Sequence, residues 1–98
     1  MKPTHTALFV ALVSVNDPER FLEYAGKAKE TITAHGGEIQ IRAQAESALT
    51  GELNHKSLAV IGFPDMNTLT KWYDSPEYQA LIPLRDQASK MDITTYTL

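Results

Sequence analysis

Hydrophobic residues cluster in segments whose spacing predicts β-strands. Residues 6–15 are apolar at both odd and even positions, and residues 57–63 show the same pattern. Such runs are typical of strands that are covered on both faces. Residues 93–98 are rich in Thr and Tyr and predict a last strand, since both residue types favour extended backbone.

A helix is predicted between the first strand and residue 36. Asp17 stands where an N-cap acceptor belongs, and Pro18 fits the first helical position because its missing N–H would have no partner there. Gly36-Gly37 ends the helix, since glycine accepts the left-handed conformation of a C-terminal cap. The residues expected on its inner side are Phe21, Ala25, Ala28, Ile32 and His35.

A second helical region follows residue 63. Asp65 is the predicted cap of a helix that carries Trp72 on its inner side. Ser75-Pro76 breaks this helix and starts another turn, because a residue before proline avoids helical backbone. Pro83 interrupts the helical pattern again.

The resulting order, βαββαβ over residues 1–98, predicts one α+β domain of ferredoxin-like architecture. Its four-stranded antiparallel sheet has the spatial order 4-1-3-2, and both helices pack on one face. The two central strands are apolar on both sides, so the opposite face would expose more apolar surface than a soluble monomer tolerates. The sequence therefore predicts a homodimer through the sheet face, a dimeric α/β barrel.

Composition excludes several classes of function. The 98 residues carry a net charge of −3, which argues against a nucleic-acid partner. No apolar run approaches the about 20 residues of a membrane span. The absence of cysteine excludes disulfides, thiolate metal sites and thiol nucleophiles, and a reducing cytoplasm is the expected location. The three histidines are not at metal-ligand spacing, so no metal and no other cofactor is predicted.

Arg42 is the sharpest candidate for a functional residue. It lies in a segment, Glu38 to Ala45, that alternates between two faces. One face carries Ile39, Ile41 and Ala43, and the other carries Gln40, Arg42 and Gln44. If the polar face looks toward the helices, Arg42 can bind a carboxylate or an enolate oxygen; if it looks outward, it forms an ion pair across the dimer.

Several residues carry a resemblance to a known family. They are Phe21 with Tyr24, Gly36-Gly37, Arg42, Gly51, Phe63-Pro64, the stretch Trp72 to Gln79, and Arg85. On these residues the chain resembles the domain-of-unknown-function family numbered 1330, over nearly its whole length. The resemblance implies the dimeric α/β-barrel superfamily, which also holds cofactor-independent monooxygenases, muconolactone-type isomerases and haem-handling enzymes. It implies the fold and the dimer, and no settled activity.

The candidate ligand-binding residues describe an apolar cleft with a few hydrogen-bond donors. They are Tyr24, Arg42, Trp72, Tyr78 and Arg85, with His35 as a helix C-terminal residue or a proton carrier. Such a cleft suits a small organic acid or a phenolic or enolic compound better than a nucleotide. Two functions follow: a small-molecule-binding module, or a cofactor-independent monooxygenase or isomerase in which Arg42 stabilises an enolate. No catalytic residue is singled out.

Overall fold

The computed structural model describes residues 4–98 and has the predicted order of elements. These elements are β1 (Ala7–Val15), α1 (Pro18–Ala34), β2 (Glu38–Gln44), β3 (Ser57–Phe63), α2 (Met66–Tyr73), α3 (Pro76–Gln79), α4 (Ile82–Ala88) and β4 (Ser89–Thr97). The strands form one antiparallel sheet in the order β2-β3-β1-β4, as predicted. The fold is therefore the ferredoxin-like α+β arrangement.

Local signals set most of the helix boundaries. The carboxylate of Asp17 accepts a hydrogen bond from the Arg20 amide at 3.2 Å and caps α1. In the same way Asp65 caps α2 and Ser75 caps α3. Gly36 has a φ of 81°, the left-handed conformation expected where α1 ends. These caps confirm the predicted breaks in the helical region.

The last strand begins four residues earlier than the sequence predicts, directly after α4. Residues of β4 alternate between the two faces: Ser89, Met91 and Ile93 point toward the helices, while Lys90 and Asp92 are exposed. The two charged residues interrupt the apolar pattern, which is why the sequence alone places the strand start at Ile93.

β2 contains a β-bulge at Gln40, so the predicted distribution of its residues over the two faces of the sheet is wrong. Ile39 pairs with Ile61, but Ile41 pairs with Val60, so one extra residue lies between them. Ile39 and Ile41 therefore lie on opposite faces of the sheet, not on the same face. The residues after the bulge change sides with Ile41, and Arg42 faces the helices.

The core lies between the helices and one face of the sheet. Trp72 is at its centre, 1 % exposed, with its ring centroid 5.1 Å from that of Phe9 and 5.2 Å from that of Phe63. The opposite sheet surface, here called the outer face, carries no helix. It is lined by Leu8, Val10, Leu12, Ile41, Leu58 and Val60.

Candidate functional site

A cavity of about 390 Å³ lies between α1 and the helix-facing side of the sheet. We call it the cleft. Its walls are mostly apolar and include Phe9 and Val13 from β1, Ala28 and Ile32 from α1, and Ile61 from β3. The walls are apolar because the strand residues that point toward the helices, and the α1 residues that point toward the sheet, are mostly apolar. Its size and lining are typical of a site for a small organic molecule.

Polar groups enter the cleft from β2, β3 and α1. Arg42, Gln44 and Ser57 line it from the neighbouring ends of β2 and β3, and Tyr24 lines it from α1. Arg42 is exposed, and within residues 4–98 no carboxylate lies at ion-pair distance from its guanidinium. The β-bulge at Gln40 is what turns this side chain toward the cleft. The cleft therefore combines an apolar interior with one accessible cation.

A network of three phenols and one guanidinium lies behind the cleft. The hydroxyls of Tyr24 and Tyr78 are 2.8 Å apart. One terminal nitrogen of Arg85 donates to the hydroxyl oxygens of Tyr78 at 3.2 Å and of Tyr73 at 3.1 Å. Tyr78 is fully buried and Arg85 is half-buried. Of these four residues, only Tyr24 lines the cleft.

The direction of the hydrogen bonds in this network can be assigned, starting from Arg85. Since Arg85 only donates, the Tyr78 oxygen accepts from it. If Tyr78 then donates to Tyr24, the fully buried hydroxyl has both a donor and an acceptor. In that arrangement the Tyr24 oxygen accepts, and the Tyr24 proton is left for an acceptor other than Tyr78. The opposite order would leave the buried Tyr78 proton without a partner among residues 4–98.

Both linked phenols remain neutral at physiological pH. Burial raises the pKa of the Tyr24 hydroxyl far above its usual value of about 10, and the neighbouring Tyr78 raises it further. Burial likewise raises the pKa of Tyr78, although its hydrogen bonds to Tyr24 and Arg85 act in the opposite direction. Burial opposes the charge of Arg85, but the hydrogen bonds to Tyr73 and Tyr78 outweigh it and raise the pKa of the guanidinium. The network is therefore a charged donor linked to two neutral phenols.

Trp72 and His35 have different positions relative to the cleft. Trp72 lines the cleft and anchors the core, and its indole N–H donates to the Thr31 hydroxyl at 2.9 Å. His35 caps the C-terminal end of α1, where its Nδ1 lies 2.9 Å from the Thr31 carbonyl oxygen, and it does not line the cleft. The structure thus brings Tyr24, Arg42 and Trp72 to the cleft, Tyr78 and Arg85 behind it, and His35 outside it.

A polar cluster on the outer face was not predicted from the sequence. His55 Nδ1 lies 2.8 Å from the Ser14 hydroxyl, and its Nε2 lies 2.6 Å from a carboxylate oxygen of Asp92. These residues come from β1, the β2–β3 connection and β4, so no local spacing indicates them. The order of serine, histidine and carboxylate resembles a nucleophilic triad. However, Ser14 does not line the adjacent cavity, whereas His55 and Asp92 do.

Residues 4–98 contain no group of three or more His, Cys, Asp or Glu side chains arranged to hold a metal ion. None of the helices in this part of the chain has the length and hydropathy needed to cross a membrane.

Solved structures of similar fold support the architecture. A protein of unknown function from Rhodopseudomonas palustris has a TM-score of 0.80 at 14% identity, with 98% of this chain and 84% of that chain covered. SnoaB, a cofactor-independent oxygenase from Streptomyces nogalater, has a TM-score of 0.69 at 12% identity, covering 96% and 93%. A dimeric ferredoxin-like protein of unknown function from Thermobifida fusca has a TM-score of 0.61 at 13% identity, covering 100% and 95%.

The fold thus defines an α+β ferredoxin-like protein, and one of its structural neighbours is described as dimeric. Residues 6–96 match the model of the domain of unknown function DUF1330, and the chain belongs to that family. No curated protein matches the chain.

Proposed function

We propose that this protein is a small-molecule-binding module that holds a small organic acid in the cleft. The observation that supports this most strongly is the accessible guanidinium of Arg42 beside an apolar cavity of about 390 Å³. A carboxylate would bind Arg42 through paired hydrogen bonds, while an aromatic or aliphatic body would occupy the apolar interior. The Tyr24 hydroxyl would donate to a second oxygen of the ligand.

Replacing Arg42 by methionine tests this proposal. Methionine keeps the apolar stem and removes the charged group, so we expect benzoate and phenylacetate to bind at least about tenfold more weakly, as for loss of a charge-assisted hydrogen bond. Binding is measured by isothermal titration calorimetry, with benzyl alcohol as the uncharged comparison. Arg20→Met is the matched control, because Arg20 lies on α1 and pairs with Asp17 outside the cleft. Equal affinity of the wild type and Arg42→Met for both acids would contradict the proposal.

The hydrogen bonds that run from Arg85 through Tyr78 to Tyr24 favour a second candidate function. It is a cofactor-independent monooxygenase or isomerase. An enolate oxygen placed at the Tyr24 hydroxyl would accept its proton or its hydrogen bond, supported by Arg85 through Tyr78. In an isomerase a proton would leave one carbon of the substrate and return to another. In an oxygenase the electron-rich substrate would itself reduce dioxygen, which is the co-reactant. The fold similarity to SnoaB fits this candidate.

Catalysis is tested by following the consumption of dissolved oxygen, and the proton–deuterium exchange of 1,3-cyclohexanedione, an enolic probe. We expect Tyr24→Phe to lower any such rate by about 10²- to 10³-fold, since it removes the donor to the oxyanion. Benzoate affinity should change much less, because Arg42 is retained. A rate that is unchanged in Tyr24→Phe would show that the network of Tyr24, Tyr78 and Arg85 takes no part in the reaction. If no rate exceeds that of buffer, the protein is the binding module.

We infer further that two copies associate through the outer face. The outer face is apolar and carries no helix, with Leu12 43% and Ile41 50% exposed. The description of the Thermobifida fusca neighbour as dimeric agrees with this inference.

The expected location in a reducing cytoplasm stays a prediction from the absence of cysteine.

A further inference from the structure

Residues 45–56 form a long connection between β2 and β3 with no helix or strand of its own. We call this connection the arm. It is much longer than the two to five residues that usually join hairpin strands. Loops of this length inside a compact domain usually serve a function. The arm carries two exposed leucines, Leu49 at 97% and Leu53 at 52%.

The arm is attached to the outer face by the cluster of His55, Ser14 and Asp92. His55 is 9% exposed, and both of its ring nitrogens have partners. An ionised carboxylate only accepts hydrogen bonds, so Nε2 donates to Asp92; in a neutral imidazole Nδ1 then accepts from the Ser14 hydroxyl. At the base of the arm the Ala45 amide donates to the Lys56 carbonyl oxygen at 2.7 Å. These contacts hold the C-terminal part of the arm against the sheet.

A second cavity, of about 320 Å³, lies between the arm and the outer face. We call it the outer cavity. The sheet contributes Leu12, Ala43 and Leu58 to its walls, and the arm contributes Leu53. Leu49 does not line this cavity and has almost its full surface in water. One region of the molecule therefore offers both a mostly apolar recess, whose walls also include Glu52, His55 and Asp92, and an apolar projection.

We propose that in the dimer the Leu49 side chain of each copy occupies the outer cavity of the other copy. This inference rests on the proposed homodimer through the outer face. A two-fold interface is self-complementary, so a projection on one copy must meet a recess on the other, and the same contact is then made twice. The arm and the outer cavity meet this requirement without any other protein.

The size of the sheet also favours a contribution from the arm. Two strands of nine residues and two of seven have a projected footprint of roughly 500 Å². Each partner of a typical stable interface contributes about 800 Å² of accessible surface. Roughness of the outer face increases its accessible area above the projection, and the arm adds further surface at one end. A second copy that packs on the sheet and on the arm therefore forms a larger interface than the sheet alone provides.

Cysteine cross-linking tests the predicted contact between copies. The chain has no cysteine, so Leu49→Cys combined with Leu12→Cys introduces the only thiols. We expect mild oxidation of this double variant to give a covalent dimer of chains on a denaturing gel. Leu22→Cys combined with Leu12→Cys is the matched control, because Leu22 is 73% exposed on α1; it should remain a single chain. A disulfide within one chain, or no disulfide in the Leu49 variant, would overturn the proposal.

Sedimentation separates failure of the arm contact from failure of the homodimer. Wild-type protein should sediment at twice 10.9 kDa at micromolar concentration. Leu49→Asp should raise the dimer dissociation constant at least about tenfold, while Leu22→Asp should leave it unchanged. A monomeric wild type would refute the homodimer and the arm contact together. A dimeric wild type whose dissociation constant is the same in Leu49→Asp would refute the arm contact alone.

Discussion

Replacing Trp72 by alanine is expected to lower the free energy of unfolding by about 3–5 kcal/mol, a large part of the stability of a domain this size. The indole is 1% exposed and lies between the rings of Phe9, Phe63 and Tyr78, the last at a centroid distance of 4.5 Å. Alanine would leave a cavity that these rings cannot fill, and the Thr31 hydroxyl would lose its donor. Urea unfolding followed by circular dichroism measures the change at matched protein concentration.

Trp72→Phe shows how much of this stability depends on an aromatic ring at position 72 and how much on the rest of the indole. Phenylalanine keeps one aromatic ring against Phe9 and Phe63 but cannot donate to Thr31, so a loss of about 1–2 kcal/mol is expected. Circular dichroism is the appropriate probe, because Trp72 is the only tryptophan of the chain and its fluorescence disappears in both variants. A loss below about 1 kcal/mol for Trp72→Ala would show that the core does not depend on this side chain.

Stability is expected to decrease steeply above pH 10 because of Tyr24 and Tyr78. Burial raises the pKa of both hydroxyls in the folded state, whereas in the unfolded chain they ionise at about pH 10. Between these values the folded state binds more protons than the unfolded state, so stability falls as the pH rises. The contribution is complete below about pH 10 and decreases by up to about 1.4 kcal/mol per pH unit for each tyrosine above it.

Tyr24→Phe should remove one of the two contributions and make the alkaline decrease less steep. The measurement is the free energy of unfolding in urea at several values between pH 9 and pH 11.5. Equal slopes for the wild type and Tyr24→Phe would mean that Tyr24 ionises as readily in the folded as in the unfolded chain.

Features that depend on neighbouring residues were predictable from the sequence. The caps at Asp17, Asp65 and Ser75 act within three residues of themselves, so the local pattern contains the whole signal. The βαββαβ succession of elements likewise predicted the order of the strands in the sheet, which the structure confirms. The start of β4 was less visible because Lys90 and Asp92 alternate with inward residues.

Features that join distant residues were not predictable in detail. His55 is 41 residues from Ser14 and 37 from Asp92, and Tyr24 is 54 residues from Tyr78. Tyr24, Arg42 and Trp72 line the cleft, whereas Tyr78 and Arg85 lie behind it. The sequence left open which face of the sheet Arg42 occupies. Only the pairing of β2 with β3 decides it, since the bulge changes the face of every later residue in the strand.

The bulge also determines how this strand responds to a change in its length. Because Gln40 has no partner of its own in the ladder, deleting it would leave Ile39 opposite Ile61 and Arg42 opposite Ala59. A deletion at Ala43 has the opposite consequence: it shifts Gln44 by one position and turns that side chain away from the cleft. In an alignment of related sequences, a gap at position 40 is therefore compatible with the same cleft lining. A gap at position 43 indicates a cleft that is lined differently.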